Sequence, residues 1–393
     1  MSGIRLIKST FYNEEDTKNK LCSFIMGSKK LSMGSECKKF EENFSQFQKR
    51  KYSVFVTSGS SANLLLIQSL LNLGKLKKGD RVGVSTLTWS TNVMPLIQLG
   101  LSPVLIDCEI DTLNVSLRNI KEKKIDALFL TNALGFCSDI DKIGEYCKEN
   151  DILFIEDNCE SLGTKYKGKL LGNFGMASTF SFFVGHHLST IEGGMICTDD
   201  LDLYESLLMS RIHGWSRQLS ELKQAELKMK YKVSDFYDNY AFYDLAFNVR
   251  PGEINGFIGN SQMPYIDKII NKREENFKKI HTVIKSNPDM IEMNIENLTT
   301  LSNFGMPLIF KNKELCEKYF LKFKSHDVEI RPLISGSMAH QPFFKKHVGI
   351  SNESYPNAEF IHQNGFYCGN NPELTEEELN LISSLLEYHS AIN

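Results

Sequence analysis

The stretch TFSFFVGHHLSTIEGGMIC, residues Thr179–Cys197, holds two apolar, β-rich runs on either side of a turn that carries glycine and two adjacent histidines. The runs predict two strands joined by this turn, and Ser181 stands just before it. Such a turn can direct the side chains of His186 and His187 into a cleft. By itself, the histidine pair is compatible with a structural role and with half of a metal site.

Two segments upstream place this turn in a wider pattern. DILFIEDNCES, residues 151–161, is an apolar strand that ends in carboxylates, which are costly to bury unless they are paired. VTSGSSANLLL, residues 56–66, leads from a strand into a turn of small residues and an apolar helix. The first turn of a helix suits an anion such as phosphate, although a simple serine N-cap is the alternative. Together the three segments indicate a cofactor pocket.

Strand and helix patterns alternate through the segments 77–100, 102–115 and 124–136. This alternation predicts the α/β class, with a mostly parallel sheet flanked by helices. Ligands of such sheets bind at the carboxyl ends of the strands, which is where Trp89 and Asp157 fall. A lone tryptophan is more often a core residue, but this position favours a place in the pocket.

The chain of 393 residues is long enough for one or two domains. We expect a linker near Pro264, which separates a large cofactor-binding domain (1–263) from a smaller C-terminal α+β domain (264–393). The net charge of −3 without a basic block argues against nucleic acid or a membrane as a partner. No leader pattern and no apolar run of about 20 residues is present, so the cytoplasm is the expected location.

The nine cysteines are scattered without a CxxC cluster, which argues against a zinc or iron–sulfur site. We interpret them as reduced thiols that are mostly buried, and we expect no metal.

The segments SFFVGHHLSTIEGG, EDNCES, HGWSR and NVRP resemble the sugar aminotransferases that use pyridoxal 5′-phosphate and have the aspartate aminotransferase (type I) fold. The resemblance extends over nearly the whole chain. In that family the turn reads like SFxxxKxLTxGEGG, and its lysine holds the cofactor as a Schiff base. Here His186 takes the place of the lysine. Imidazole cannot form that link, so lysine-anchored amine transfer is not expected. The subgroup with histidine at this position consists of sugar 3-dehydratases.

The resemblance also implies a cofactor site. Its residues would be Ser58, Gly59, Ser60, Trp89, Asp157, Glu160, Ser181 and Asn248. Asp157 would bind the protonated ring nitrogen, and Trp89 would stack on the ring. Asn248 would reach the phosphate in the partner subunit's site, which implies a homodimer with shared active sites.

Three arginines are candidates for the anionic groups of the substrates. Arg217 and Arg250 would bind the amino donor or the nucleotide, and Arg331 matches a family position near the sugar nucleotide. Surface ion pairs are the alternative for Arg217 and Arg250.

The resemblance implies a pyridoxal or pyridoxamine phosphate enzyme that removes the 3-hydroxyl of a nucleotide-linked 4-keto-6-deoxy sugar, GDP-4-keto-6-deoxy-D-mannose in particular. L-Glutamate would supply the amine, and 2-oxoglutarate and ammonia would be released. His186 would act as both base and acid, since an imidazole has a usual pKa of about 6.5. His187 would orient its neighbour, and a direct role in the reaction is the alternative.

Three other functions stay open. The first is a sugar-nucleotide 4-aminotransferase, against which the missing lysine argues. The second is a 3-dehydratase for another nucleotide sugar, and the missing cysteine cluster argues only against its iron–sulfur version. The third is an inactive sugar-nucleotide-binding protein. The joint presence of Ser60, Trp89, Asp157, Ser181 and Asn248 disfavours it, because an inactive site does not need all of them.

Overall fold

The computed structural model describes residues 3–350 and 353–388 of the chain. The strands are β1 (Tyr52–Val56), β2 (Arg81–Ser85), β3 (Ser102–Ile106), β4 (Ala127–Thr131), β5 (Leu153–Asp157), β6 (Lys165–Tyr166), β7 (Lys169–Leu170), β8 (Ala177–Ser181), β9 (Gly194–Thr198), β10 (Leu298–Thr300), β11 (Gly305–Ile309), β12 (Ile330–Pro332) and β13 (Gly365–Gly369). The helices are α1 (Glu14–Gly27), α2 (Ser35–Gln48), α3 (Gly59–Asn72), α4 (Met94–Gln98), α5 (Leu117–Lys121), α6 (Ile140–Glu149), α7 (Leu201–Arg211), α8 (Glu221–Tyr231), α9 (Glu253–Gln262), α10 (Ile266–Ser286), α11 (Lys313–Ser325), α12 (Pro342–His347), α13 (Pro356–Asn364) and α14 (Glu376–Leu386).

The largest sheet has seven strands in the order β1-β9-β8-β5-β4-β2-β3. Strands β8, β5, β4, β2 and β3 are parallel, whereas β9 is antiparallel to both of its neighbours. The carboxyl ends of β1, β2, β4, β5 and β8 therefore meet at one edge of the sheet. This arrangement confirms the predicted α/β class and puts the loops that follow these strands side by side.

Helices cover the sheet and bury its strands. Strands β4 (ALFLT) and β8 (ASTFS) are buried at every position, as expected for strands with helices on both faces. Helix α2 places Phe40 and Phe44 against Phe55 and Phe180, with ring centroids 5.0 and 5.1 Å apart. Burying each such side chain contributes about 2 kcal/mol.

The C-terminal part of the chain forms a separate antiparallel sheet in the order β11-β13-β12. Residues of α10, α11 and α14 pack on this sheet around Met306, Phe323 and Phe366. A bridge between Ile4 and Val328 adds the N-terminal segment to this part of the molecule. The predicted domain boundary next to Pro264 falls in the short turn Met263–Tyr265 before α10, and it stays a prediction.

All nine cysteines are free thiols, and six of them are buried. Within residues 3–350 and 353–388, no helix is both long and apolar enough to cross a membrane. The same ranges contain no group of three or more His, Cys, Asp or Glu side chains that could hold a metal.

Candidate active site

A cavity of about 620 Å³ opens at the carboxyl edge of the large sheet. The predicted catalytic and cofactor-binding residues that line it are Ser58, Gly59, Ser60, Trp89, Asp157, Glu160, Ser181 and His186. Arg331, predicted for the substrate, lines it too. These residues come together because each follows or ends a strand whose carboxyl end lies at this edge, apart from Arg331, which comes from β12 of the C-terminal sheet.

The turn between β1 and α3 is a tight N-terminal cap. The Oγ of Ser58 accepts from the N–H of Ser61 at 3.0 Å, and the Oγ of Ser61 accepts from the N–H of Ser58 at 2.8 Å. The hydroxyl of Ser58 thus performs the capping role that the sequence left as an alternative. A Cβ on Gly59 would lie 2.7 Å from the Cβ of Ser181, so glycine is required for this close approach. The first N–H groups of α3, together with the Ser181 hydroxyl, make this wall suitable for a phosphate.

The carboxylate of Asp157 is buried and held by three N–H donors. Its Oδ2 accepts from the side-chain amides of Asn63 and Asn92 at 2.8 and 2.7 Å, and its Oδ1 accepts from the N–H of Cys159 at 2.9 Å. Asn63 is oriented in turn by the hydroxyl of Thr179 at 2.6 Å. A carboxylate fixed in this way can face a protonated ring nitrogen without changing its rotamer.

The indole of Trp89 is 52% exposed, although it follows a buried strand. Its exposure into the cavity excludes the core position that is usual for a lone tryptophan. A flat aromatic wall next to a fixed carboxylate and an anion-binding turn is the donor set that pyridoxal phosphate requires, so the residues present fit this cofactor.

His186 is held in one tautomer. Its Nδ1 lies 2.6 Å from the carbonyl oxygen of Cys159, and because a carbonyl only accepts, Nδ1 carries the hydrogen and Nε2 is the unprotonated nitrogen. The ring packs on Phe304 with centroids 4.9 Å apart. Burial lowers the pKa of His186 to about 4, and the nearby Arg273 acts in the same direction, whereas the Cys159 carbonyl and Asp157 oppose the shift. The imidazole is therefore neutral at pH 7. Its pKa lies below the usual value of about 6.5 that the sequence analysis assumed.

The pKa of Glu160 is shifted in the opposite direction to that of His186. Its Oε2 accepts from the N–H of Leu134 at 2.8 Å. Burial raises the pKa of Glu160 to about 7, and the charge of Asp157 adds to this effect against the Leu134 hydrogen bond. The cavity thus combines a neutral base with a carboxyl that carries a proton near neutral pH, a pattern typical of acid–base catalysis.

His187 points away from this pair. Its Nε2 lies 2.8 Å from the carbonyl oxygen of Ser302, and the side chain is buried. This contact anchors the turn to the segment before β11.

The remaining predicted residues do not reach the cavity. Arg217, Asn248 and Arg250 line a second pocket of about 520 Å³ on the same chain. There the Nε of Arg250 donates to the Oδ1 of Asn248 at 2.9 Å, and the Arg217 guanidinium lies 3.9 Å from the ring centroid of Trp215. Their predicted contacts with cofactor or substrate therefore stay predictions.

Sequence reasoning overlooked several residues of the site. Asn92 and the Cys159 carbonyl follow strands β2 and β5, so their position at the sheet edge was a usable signal. Phe304 lines the cavity from the C-terminal part, and no local pattern connects it with the site.

Residues 13–387 match the model of the DegT/DnrJ/EryC1/StrS aminotransferase family, and the chain belongs to this family. It is 33% identical over 386 residues to GDP-4-keto-6-deoxy-D-mannose 3-dehydratase of Escherichia coli O55:H7 (95% of this chain, 97% of the relative). It is 35% identical to the enzyme of the same name from Yersinia pseudotuberculosis (92% of this chain, 93% of the relative).

Solved structures agree with this relationship. The E. coli GDP-4-keto-6-deoxy-D-mannose-3-dehydratase with bound hydrated pyridoxal phosphate superposes with a TM-score of 0.89 at 32% identity, covering 98% of this chain and 100% of the other. A GDP-4-keto-6-deoxymannose-3-dehydratase with a trapped pyridoxal phosphate–glutamate geminal diamine gives a TM-score of 0.88 at 32% identity and the same coverage. The fold is therefore that of the pyridoxal phosphate aminotransferases.

Proposed function

We propose that this protein is a pyridoxal phosphate-dependent 3-dehydratase of a nucleotide-linked 4-keto-6-deoxy sugar, GDP-4-keto-6-deoxy-D-mannose. L-Glutamate supplies the amine, and 2-oxoglutarate and ammonia are released. The observation that carries the proposal is His186, a neutral imidazole in the cavity at the position where aminotransferases of the family have lysine. The relatives from Escherichia coli and Yersinia pseudotuberculosis are both named GDP-4-keto-6-deoxy-D-mannose 3-dehydratase, which supports the same reaction.

The residues of the cavity suffice to hold the cofactor without a covalent bond. Asp157 would bind the ring nitrogen, Trp89 would cover the ring, and the N–H groups of Gly59 and Ser60 with the Ser181 hydroxyl would bind the phosphate. When bound, the cofactor supplies a ring that withdraws electrons from the substrate carbons next to the shared nitrogen. Without a lysine anchor, it is expected to exchange with solvent.

His186 provides the base. Because Nδ1 donates to Cys159, Nε2 keeps its lone pair for a proton, and the contact with Phe304 holds the ring in one orientation. Departure of the 3-hydroxyl requires a proton. The protonated His186 can return the proton that it removed. Glu160 is a second proton donor, because its carboxyl carries a proton near pH 7.

We also propose a homodimer in which the pocket of Arg217, Asn248 and Arg250 completes the active site of the partner subunit. Exposed aromatic side chains support an interface. Phe242, which stacks on Trp215 of this pocket, is 61% exposed, and Phe236 and Tyr237 are 82 and 64% exposed.

The cytoplasm is the proposed location. The free cysteines suit its reducing conditions, because thiols persist there and disulfides are rare.

The test is a mass-spectrometric assay of GDP-4-keto-6-deoxy-D-mannose with the protein, pyridoxal phosphate and glutamate, and without any iron–sulfur reductase. The proposal predicts loss of the 3-hydroxyl and formation of 2-oxoglutarate. A 4-amino sugar would instead identify an aminotransferase that works without the lysine. No product with any 4-keto-6-deoxy nucleotide sugar would indicate an inactive binding protein.

A further inference from the structure

Arg273 is a buried cation in the middle of α10, with 3% of its surface exposed. Its guanidinium donates to the backbone carbonyls of His186, Asn303 and Phe304 at 3.3, 3.4 and 3.1 Å, and also to that of Asn370. Among the side chains of residues 3–350 and 353–388, no carboxylate pairs with it. Burying a cation without a carboxylate partner costs free energy. An apolar side chain at this position of α10 would avoid that cost.

Two of the four carbonyls that Arg273 binds belong to residues that define the position of the imidazole. One is His186 itself, and another is Phe304, whose ring packs on the His186 ring. From the opposite side, the Cys159 carbonyl holds Nδ1. A single guanidinium therefore connects the turn after β8 with the segment before β11, which the chain separates by more than a hundred residues.

Charge gives Arg273 a second effect on this imidazole. The titratable groups that face His186 from the surrounding elements are Asp157, Cys159, Glu160, His187, Tyr367 and Arg273. Asp157 favours a proton on the imidazole, whereas the positive charge of Arg273 opposes one. Burial lowers the pKa of Arg273 itself to about 9, so the guanidinium is still charged at pH 7.

We propose that Arg273 is a positioning residue that holds the backbone of His186 and Phe304 and so keeps the imidazole oriented, with Nε2 free, as the base of the reaction. Its kinetic consequences rest on the proposed function. Its effect on the titration of His186 does not, because that titration is measured on the protein without cofactor or substrate.

The experiment compares Arg273→Met, which removes charge and donors, with Arg273→Lys, which keeps the charge but cannot reach all four carbonyls. The matched control is Arg50→Met. The side chain of Arg50 is 7% exposed and donates to the backbone carbonyls of Gly172 and Gly175. Unlike Arg273 it also pairs with a carboxylate, that of Asp199, and it precedes β1 at the opposite end of the sheet. The first readout is the pH titration of the imidazoles by NMR, with His186 assigned from the signal that is lost in His186→Asn.

In Arg273→Met the titration of His186 should move to higher pH, and in Arg273→Lys it should stay near that of the parent. For dehydration, kcat should fall about 10- to 100-fold in Arg273→Met while KM changes by less than about threefold, with Arg273→Lys in between. In Arg273→Met the acid limb of the pH–rate profile should move to higher pH together with the titration of His186. Arg50→Met should alter none of these quantities.

The inference is overturned if Arg273→Met leaves the His186 titration where it is in the parent and in Arg50→Met. If Arg273→Met does not fold, a kcat in Arg273→Lys that equals that of the parent overturns it as well. Absence of dehydration in the parent would refute the proposed function alone, since the titration would still decide the role of Arg273.

Discussion

In the proposed reaction, the residue that separates elimination from amine transfer is His186. An imidazole cannot attach to the cofactor, and here its Nδ1 hydrogen is committed to the Cys159 carbonyl, so Nε2 is left as a base. Burial keeps this base neutral, since it lowers the pKa of His186 to about 4. Under the proposed function, histidine in place of the lysine at this one position therefore changes which bond is broken.

Replacing His186 by asparagine should abolish dehydration and leave cofactor binding intact, because the amide fits the space and cannot accept the proton. A fall in kcat of at least about 10²-fold is expected for loss of a general base. It is measured in the mass-spectrometric assay and by absorbance titration with pyridoxal phosphate. His326→Asn, at an exposed position after α11, is the control. Full activity in His186→Asn would exclude this residue as the base.

A lysine at position 186 should restore the covalent attachment of the cofactor that aminotransferases of the family use. After borohydride reduction, the intact protein His186→Lys should gain the mass of the bound pyridoxyl phosphate, and the parent should not. If the variant shows no mass gain, the turn does not face the cofactor.

The raised pKa of Glu160 predicts that the contribution of this residue to stability falls as the pH rises. Its pKa is raised from about 4.5 to about 7, so the folded state binds this proton more tightly than the unfolded state does. The contribution to stability is full below pH 4.5 and is lost as the pH rises to 7. Relative to Glu160→Gln, the parent should lose up to about 3 kcal/mol of unfolding free energy across this window.

Chemical denaturation at several pH values measures this difference. Protonation of His186 and His187 affects parent and variant alike and cancels in the comparison. Glu149→Gln, at the exposed end of α6, controls for removal of a carboxyl. Parallel stability curves for the parent and Glu160→Gln would contradict the raised pKa.

At the scale of elements, the turn between β1 and α3 works because glycine lets the helix start approach β8. Gly59 lies where a Cβ would be 2.7 Å from the Cβ of Ser181 and 3.0 Å from the Sγ of Cys159. The same close approach lets the N–H groups of the helix and the Ser181 hydroxyl act on one anion. The capping box of Ser58 and Ser61 then holds the turn in this shape.

Gly59→Ala should therefore weaken the binding of pyridoxal phosphate about tenfold or more, since overpacking of about 1–3 kcal/mol pushes the helix start away from β8. Fluorescence titration measures the Kd. Gly27→Ala is the matched control, because a Cβ at Gly27, the last residue of α1, meets no atom within 4 Å. Equal affinities in both variants would show that the turn does not form the phosphate site.

At the scale of the whole molecule, the second pocket lies apart from the cavity that the reaction needs. Arg217, Asn248 and Arg250 cannot contribute to the cavity of their own chain as it is folded, because none of them lines it. A second subunit can bring such a pocket to the cavity if the dimer is symmetric, since each surface then meets its partner in both directions.

Shared sites predict complementation between two defective subunits. Chains with His186→Asn or with Asn248→Asp should each be inactive alone, the second because its carboxylate repels the phosphate. Co-expressed and mixed at random, they should recover about one quarter of the parental activity, since half of the dimers carry one intact site of two. No recovery would place each active site within one chain.

The sequence by itself determined the α/β class, the cofactor chemistry and nine of the residues around the cavity. It could do so because parallel strands end at one edge, so residues that follow strands, such as Trp89, Asp157 and His186, are brought together by any such fold. The histidine in place of lysine can be recognised from the sequence as well. An imidazole cannot form the Schiff base wherever its neighbours lie, so this consequence needs no tertiary structure.

Only the tertiary structure decided how these groups behave. The tautomer of His186 depends on a carbonyl 27 residues away, and its packing depends on Phe304 and Arg273 from the C-terminal half of the chain. The opposite pKa shifts of His186 and Glu160 follow from burial, and burial is a property of everything that surrounds a side chain. Local patterns carry no record of such distances, because packing brings these residues together from distant parts of the chain.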